Sequence, residues 1–304
     1  MNMKSCFLWL CCLLLPSSVW ASGYAATRYP IVLAHGMFGF NDLAGVEYWY
    51  GIPEALRAQG ANVYVTQVSP LNTSVQRGEQ LLAEVETILA VSGSAKVNLI
   101  GHSHGGQSIR YVAAMIPTHV ASITAVGSPG LGSPVADDVL AIGKLSPALE
   151  SIALGALQAL GQLIALLSNN QYAVDISASL QSLSSSGAAA FNSQFPAGVP
   201  SVPCGQGASQ VAGVYIFSWG GTAVSTNIFD LSDALLLTTS LAFVGQPNDG
   251  LVGRCSSHLG RVLNDSYDMN HLDEVNQLFG LHALWVNPVE LYLQQANRLK
   301  NMGL

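Results

Sequence analysis

The chain has 304 residues, of which 50% are apolar and only 10% charged, with a formal net charge of -7. That length suits one sizeable α/β domain, and the 11 Lys and Arg form no run, which excludes the clustered basic face that a nucleic-acid partner needs. An acidic, low-charge surface has no electrostatic pull toward anionic membranes, so any lipid contact has to be hydrophobic.

Lys4 is followed by an apolar stretch from Phe7 to Leu15, a break at Pro16, and small-residue cleavage chemistry at Val19-Trp20-Ala21. This is the pattern of a secretory signal peptide, too short to span a bilayer, so residues 1–21 are expected to be removed and 22–304 to form the secreted domain. Cys11 and Cys12 raise a lipoprotein signal as the alternative, but Leu8-Trp9-Leu10 is bulky where small residues are expected. Removal of the signal takes Cys6, Cys11 and Cys12 with it. Cys204 and Cys255 remain, and in an oxidising compartment one disulfide is their expected fate.

The short apolar run from Pro30 to Ala34 predicts a strand buried on both faces, ending at His35-Gly36. A helix is expected over Trp49 to Gln59, a strand over Asn62 to Val68, and an amphipathic helix over Ser74 to Val91. A third strand, Lys96 to Ile100, runs into Gly101. A helix over Ser108 to Met115 and a strand over Ser122 to Val126 follow. Alternating strands and helices predict an α/β fold with a mostly parallel central sheet and helices on both faces. Ser151 to Leu167 is apolar almost all round, and reads as a buried helix or as a cover over an apolar site. Val211 to Trp219 and Ser240 to Val244 are the last two predicted strands.

Gly101-His102-Ser103-His104-Gly105 is a Gly-x-Ser-x-Gly pattern between a predicted strand and a predicted helix. A turn that tight leaves room only for small flanking residues and lifts the serine hydroxyl out at the carboxyl end of the sheet, in the α/β-hydrolase manner. A serine hydroxyl needs a base, and in this fold the order is serine, acid, histidine. Order and spacing leave His258, His271 and His282 as candidate bases. Several acids precede His271; Asp249 stands out in the turn Pro247-Asn248-Asp249-Gly250, past a predicted strand over Leu241 to Val244. The loop at His35-Gly36-Met37 offers the Met37 backbone N–H, and the residue after the serine, His104, offers a second, as donors to an oxyanion.

Tyr29 to Met37, Val97 to Gly106, Asn248 to Gly253, Asn270 to Gln277 and Phe279 to Leu281 together resemble the Pseudomonas/Burkholderia-type secreted triacylglycerol lipases over essentially the whole chain from Tyr29. The resemblance implies Ser103, Asp249 and His271 as the triad and hydrolysis of long-chain acylglycerols at an oil–water interface. It also implies one structural calcium ion, held by the side chains of Asp230 and Asp273 and the backbone carbonyls of Gln277 and Leu281. Carbonyls are free for a cation only where helical bonding is broken, so residues 273–281 are expected to form a loop. Cys204 and Cys255 match the family's disulfide positions. The segment at about 130–170 is implied to be a lid, and a dedicated foldase chaperone is an implied partner. Gly127 to Ser133 departs from the family, where a more basic loop stands. The nearest competing expectations are a short-chain carboxylesterase or polyester depolymerase of the same fold.

Overall fold

The computed structural model describes residues 23–43 and 45–304, so the predicted signal segment lies outside the described residues. Five strands make the body of the sheet: β1 (Ile31–Ala34), β2 (Val63–Val65), β3 (Val97–His102), β4 (Val120–Val126) and, after a two-residue β5 (Gln210–Val211), β6 (Val214–Gly221). They lie in the order β2-β1-β3-β4-β6, all parallel, with β5 antiparallel to β6 and a further strand β7 (Arg261–Tyr267) parallel to it. All of β1, β3 and β4 is buried, as strands covered on both faces must be, which explains their apolar runs without alternation.

The alternation reappears in what each residue meets. Val32, Leu99, Ile123 and Ile216 pack in one core cluster with Val85 of α2 (Ser74–Ser92) and Ile109 of α3 (Gly105–Met115). Ile31, Leu33, Ile100 and Trp219 face the opposite cluster, with Leu56 of α1 (Ile52–Ala58) and Tyr292 of α9 (Pro288–Asn301). Helices thus cover both faces. A third cluster forms above the carboxyl ends, where α4 (Pro134–Leu145), α5 (Pro147–Leu167) and α6 (Ile176–Leu183) meet the loop after β1. Helix α7 (Ser185–Gln194) follows.

Three elements differ from expectation. The strand predicted over Leu241 to Val244 is instead a 3-10 turn, Leu241–Phe243, continuing α8 (Ser232–Ser240). Phe243 is buried while Leu241 and Val244 are exposed, and a four-residue apolar run carries no period that separates a helix end from a strand. The strand predicted over Val211 to Trp219 is broken by Ala212 and Gly213, both at positive φ, into the β5–β6 hairpin. Strand β7 was not anticipated, because its Asn-Asp-Ser core and partial exposure hide it. Helices α6 and α7 are capped by Asp175 and Ser184, which accept from the backbone N–H of Ala178 and Gly187.

Candidate active site

The turn between β3 and α3 is shaped by contact. A side chain at Gly101 would strike the Gly105 carbonyl, and one at Gly105 would strike the carbonyl of Ala34. Ser103 itself sits at φ 54°, a left-handed conformation disfavoured for a residue with a side chain. The turn holds because the Ser103 N–H donates to the Val126 carbonyl at 2.9 Å and the Gly106 N–H to the Ser103 carbonyl at 2.9 Å. Ser103 is nearly buried.

Of the three histidines that order left open, His271 is the one that meets Asp249. Its Nδ1 donates to Asp249 Oδ2 at 2.8 Å, and its backbone N–H donates to the Asp249 carbonyl at 2.9 Å. Asp249 Oδ1 is held by the N–H groups of Leu251 and Val252, at 2.8 and 2.6 Å. With Nδ1 donating, Nε2 of a neutral ring keeps a lone pair and is free to act as a base. The His271 ring lies 4.6 Å, centroid to centroid, from that of His102, the residue before the serine. His258 instead contacts Asp265 and the Gly205 carbonyl, and His282 Nδ1 contacts the carbonyl of Ala283.

The loop after β1 is held from beneath. Val68 N–H donates to His35 Nε2 at 3.2 Å, so the proton is on Nδ1, which donates to the Gly36 carbonyl at 2.9 Å. Burial, aided by the nearby Arg77 cation, lowers the His35 pKa to about 3, so this neutral form is kept at any working pH. Arg77, fully buried, donates from Nη2 to the carbonyls of His35 (2.6 Å) and Gly36 (3.1 Å). A trans peptide points its carbonyl and N–H in opposite directions. Fixing the Gly36 carbonyl therefore aims the Met37 N–H the other way. Neither the Met37 nor the His104 N–H has an acceptor among the described residues. The His104 ring is anchored by Ser74 Oγ at 2.9 Å.

A second network links the loop to the base. The Gly36 N–H donates to the Tyr48 hydroxyl (3.0 Å), which donates to His102 Nδ1 (2.6 Å), and His102 Nε2 donates to the His271 carbonyl (3.0 Å). Burial holds the His102 pKa well below its ordinary value, in keeping with that donor pattern. Tyr48, Arg77 and Glu274 are the residues sequence reasoning missed. Glu274 is fully buried, accepts from Gly221 N–H at 2.6 Å, and has Oε2 3.3 Å from His102 Nε2 and 3.9 Å from His271 Nδ1. Burial, with Asp249 nearby, pushes its carboxyl well above the usual range. Its position three residues after His271 was the available signal.

Among the described residues, one cluster of side chains has the spacing of metal ligands. Ligand atoms of His102, His271 and Glu274 lie within 4.8 Å of one another. The residues expected to hold calcium offer oxygen ligands only. Asp230 Oδ1 accepts from Ser232 N–H and Asp273 Oδ2 from Asn270 N–H, while Asp230 Oδ2 and Asp273 Oδ1 are buried without a hydrogen-bond partner. Asp273 is pushed up to about 7 by burial, with the charges of Asp230 and Asp233 adding to it. After a 3-10 turn at Asp273–Val275 the chain is non-helical, and the Gln277 and Leu281 carbonyls accept no hydrogen bond among the described residues. Unpartnered carboxylate oxygens and free carbonyls have the donor chemistry that a hard cation such as calcium takes, whereas imidazole nitrogens do not. Cys204 and Cys255 form a disulfide, and Cys255 closes the loop that carries Asp249.

Comparison with known proteins agrees with this fold. Residues 29–275 match the model of the alpha/beta hydrolase fold family. A triacylglycerol lipase of Vibrio cholerae serotype O1 is 52% identical over 302 residues, covering 96% of each chain. One from Burkholderia plantarii is 40% identical over 95% of this chain and 90% of its own. Lipase 1 from Pelosinus fermentans shares the fold at a TM-score of 0.61 with 18% identity, over 90% of this chain and 99% of that one. An elbow serine, a histidine–carboxylate pair beside it and relatives of this kind make one conclusion: the chain belongs to the α/β-hydrolase fold family, in its Pseudomonas/Burkholderia-type group of bacterial lipases.

Proposed function

We propose that the protein is a secreted triacylglycerol lipase that hydrolyses long-chain acylglycerol esters through an acyl-enzyme. The observation that carries this reading is the Asp249–His271 pair stacked against the Ser103 turn, with two unspent backbone N–H donors at Met37 and His104. His271 Nε2 takes the Ser103 proton as the oxygen attacks the ester carbonyl. The Met37 and His104 amides receive the developing oxyanion, each such donor contributing roughly 2.7–4 kcal/mol to the transition state. His271, oriented by Asp249, returns the proton to the departing alcohol, and water then releases the acyl group by the same steps in reverse. Calcium, when bound by Asp230, Asp273 and the carbonyls of Gln277 and Leu281, supplies a fixed charge that holds the loop bearing His271.

The long-chain preference is supported by the cover. Leu154 and Leu157 of α5, with Val139 and Leu140 of α4, pack in the same cluster as Met37 and Phe38 of the oxyanion loop. The outer side of α5 is apolar yet exposed, with Ile152 at 70%, Leu163 at 50% and Leu166 at 75%. Such a helix is neither a buried core helix nor an ordinary surface helix, and its apolar surface suits an oil–water boundary. Movement of this cover there would open the way to Ser103. Export behind a signal peptide, with a dedicated foldase, completes the proposal.

The test is a chain-length series. Turnover of emulsified trioleoylglycerol should rival or exceed that of soluble short esters, and the rate should climb once substrate passes its solubility limit. Fast cleavage of soluble short esters, with emulsified long-chain substrate left untouched, would favour the carboxylesterase or polyester reading instead.

A further inference from the structure

A cleft of about 370 Å³ opens beside the start of β6 and the end of α3, and neither Ser103 nor His271 lines it. Ala113 and Ala114 at the end of α3, Ile123 of β4, Phe195 after α7, and Val214 and Ile216 at the start of β6 line it. Ile123 and Ile216 are register partners, so the floor is the apolar face of the sheet itself. Ser103 and His271 lie beyond the carboxyl ends of the strands. The volume falls within the range of small-ligand pockets, roughly 300–1,000 Å³.

One charged side chain lines this apolar wall. Arg110 is 5% exposed, and its Nη2 donates to Asn192 Oδ1 and the Phe195 carbonyl. Its guanidinium carbon lies 5.0 Å from the centre of the Phe191 ring. Nε is buried without a partner, Nη1 donates to no described residue, and no carboxylate pairs with the cation among the described residues. A buried cation without a counter-ion is costly, even with an aromatic face and two acceptors to help. A neutral lipid would leave that charge unanswered, and a small inorganic anion would leave the apolar walls unused. We propose that the cleft binds a free fatty acid, its carboxylate on Arg110 and its chain along Ala113, Ala114 and the β4–β6 floor. The choice of fatty acid over other amphiphilic monoanions rests on the lipase reading, in which that molecule is the enzyme's product.

The experiment is equilibrium binding of laurate, kept below its micelle-forming concentration, to the mature enzyme with Ser103 blocked by a long-chain alkylphosphonate that fills the acyl site. One laurate should bind per molecule, and 1-dodecanol should bind at least tenfold more weakly. Arg110→Gln should weaken laurate at least tenfold. Ala114→Trp, which fills the cleft and leaves the guanidinium in place, should do the same with short-ester turnover and Tm unchanged; it decides the matter if Arg110→Gln does not fold. No laurate on the blocked enzyme, equal affinity in Ala114→Trp, or equal binding of dodecanol would overturn the assignment. Failure of the lipase reading would show instead as inactivity toward triglyceride. Laurate binding is measured independently of that.

Discussion

His35 makes no contact that a search for a nucleophile, base or acid would reward, yet its Nδ1 and Arg77 Nη2 both hold the Gly36 carbonyl that sets the direction of the Met37 N–H. Replacing His35 with Ala should misaim that donor rather than delete it. The expected loss is therefore smaller than the roughly 2.7–4 kcal/mol of a deleted donor, and kcat should fall about 10–100-fold with KM little changed. A drop in Tm with kcat intact would assign His35 a packing role only. Ser103 and Asp249 were within reach of sequence through turn chemistry, whereas fold order left three histidines open and only the family resemblance pointed to His271. Asp249 was found for a partly mistaken reason, since the element before it is a 3-10 turn and not a strand. Tyr48 and Arg77 were not legible, because they act through partners tens of residues away that only the folded sheet brings near, and Glu274 showed only its spacing from His271 while its His102 and Gly221 partners lie far along the chain.

Among the elements, α2 carries a titrating contact. Glu84 receives the Gln67 N–H on both carboxylate oxygens at 3.2 Å, tying α2 to the chain just after β2. Burial raises its pKa from 4.5 to about 7. A carboxyl whose folded pKa is raised favours the fold while protonated, below pH 4.5, and that advantage is lost as pH climbs through about 7. Glu84→Gln mimics the protonated form, and should raise stability at pH 8 by about 1–3 kcal/mol while leaving it nearly unchanged at pH 4. Equal effects at both pH values would contradict this. Element types were readable where apolar runs were long or periodic, as in β1, β3 and α2. They were not where short apolar runs, polar edge strands or Ser-rich helices carry no distinguishing period, as at Leu241–Phe243, β7, α6 and α7. Helix α5 was readable as apolar but not as exposed, because composition does not say what lies on its outer side.

Across the whole molecule, the disulfide braces the loop bearing Asp249, and the proposed calcium site would brace the loop bearing His271. Cys204 and Cys255 form the first, and the oxygens of Asp230, Asp273, Gln277 and Leu281 are proposed to form the second. A cation bound only by the folded chain stabilises it by mass action, about 2.7 kcal/mol at a hundredfold excess over its Kd. Treatment with EGTA should therefore lower Tm and activity together, Asp273→Ala should reproduce both losses, and calcium should restore the wild type alone. Unchanged Tm and activity after chelation would remove the calcium site from the account. Exposed apolar residues are not confined to α5, since Phe229, Leu231 and Leu235 in and before α8 are open as well. These exposed apolar surfaces are what the proposed work at an oil–water boundary calls for.

The central claim is that Ser103 is the nucleophile of that work. A long-chain alkyl p-nitrophenyl phosphonate, followed by peptide mapping, tests it directly. The account predicts one phosphonyl group per molecule, attached at Ser103, with triglyceride hydrolysis lost in step with labelling. Label on another residue, or full hydrolysis by a fully labelled protein, would contradict it.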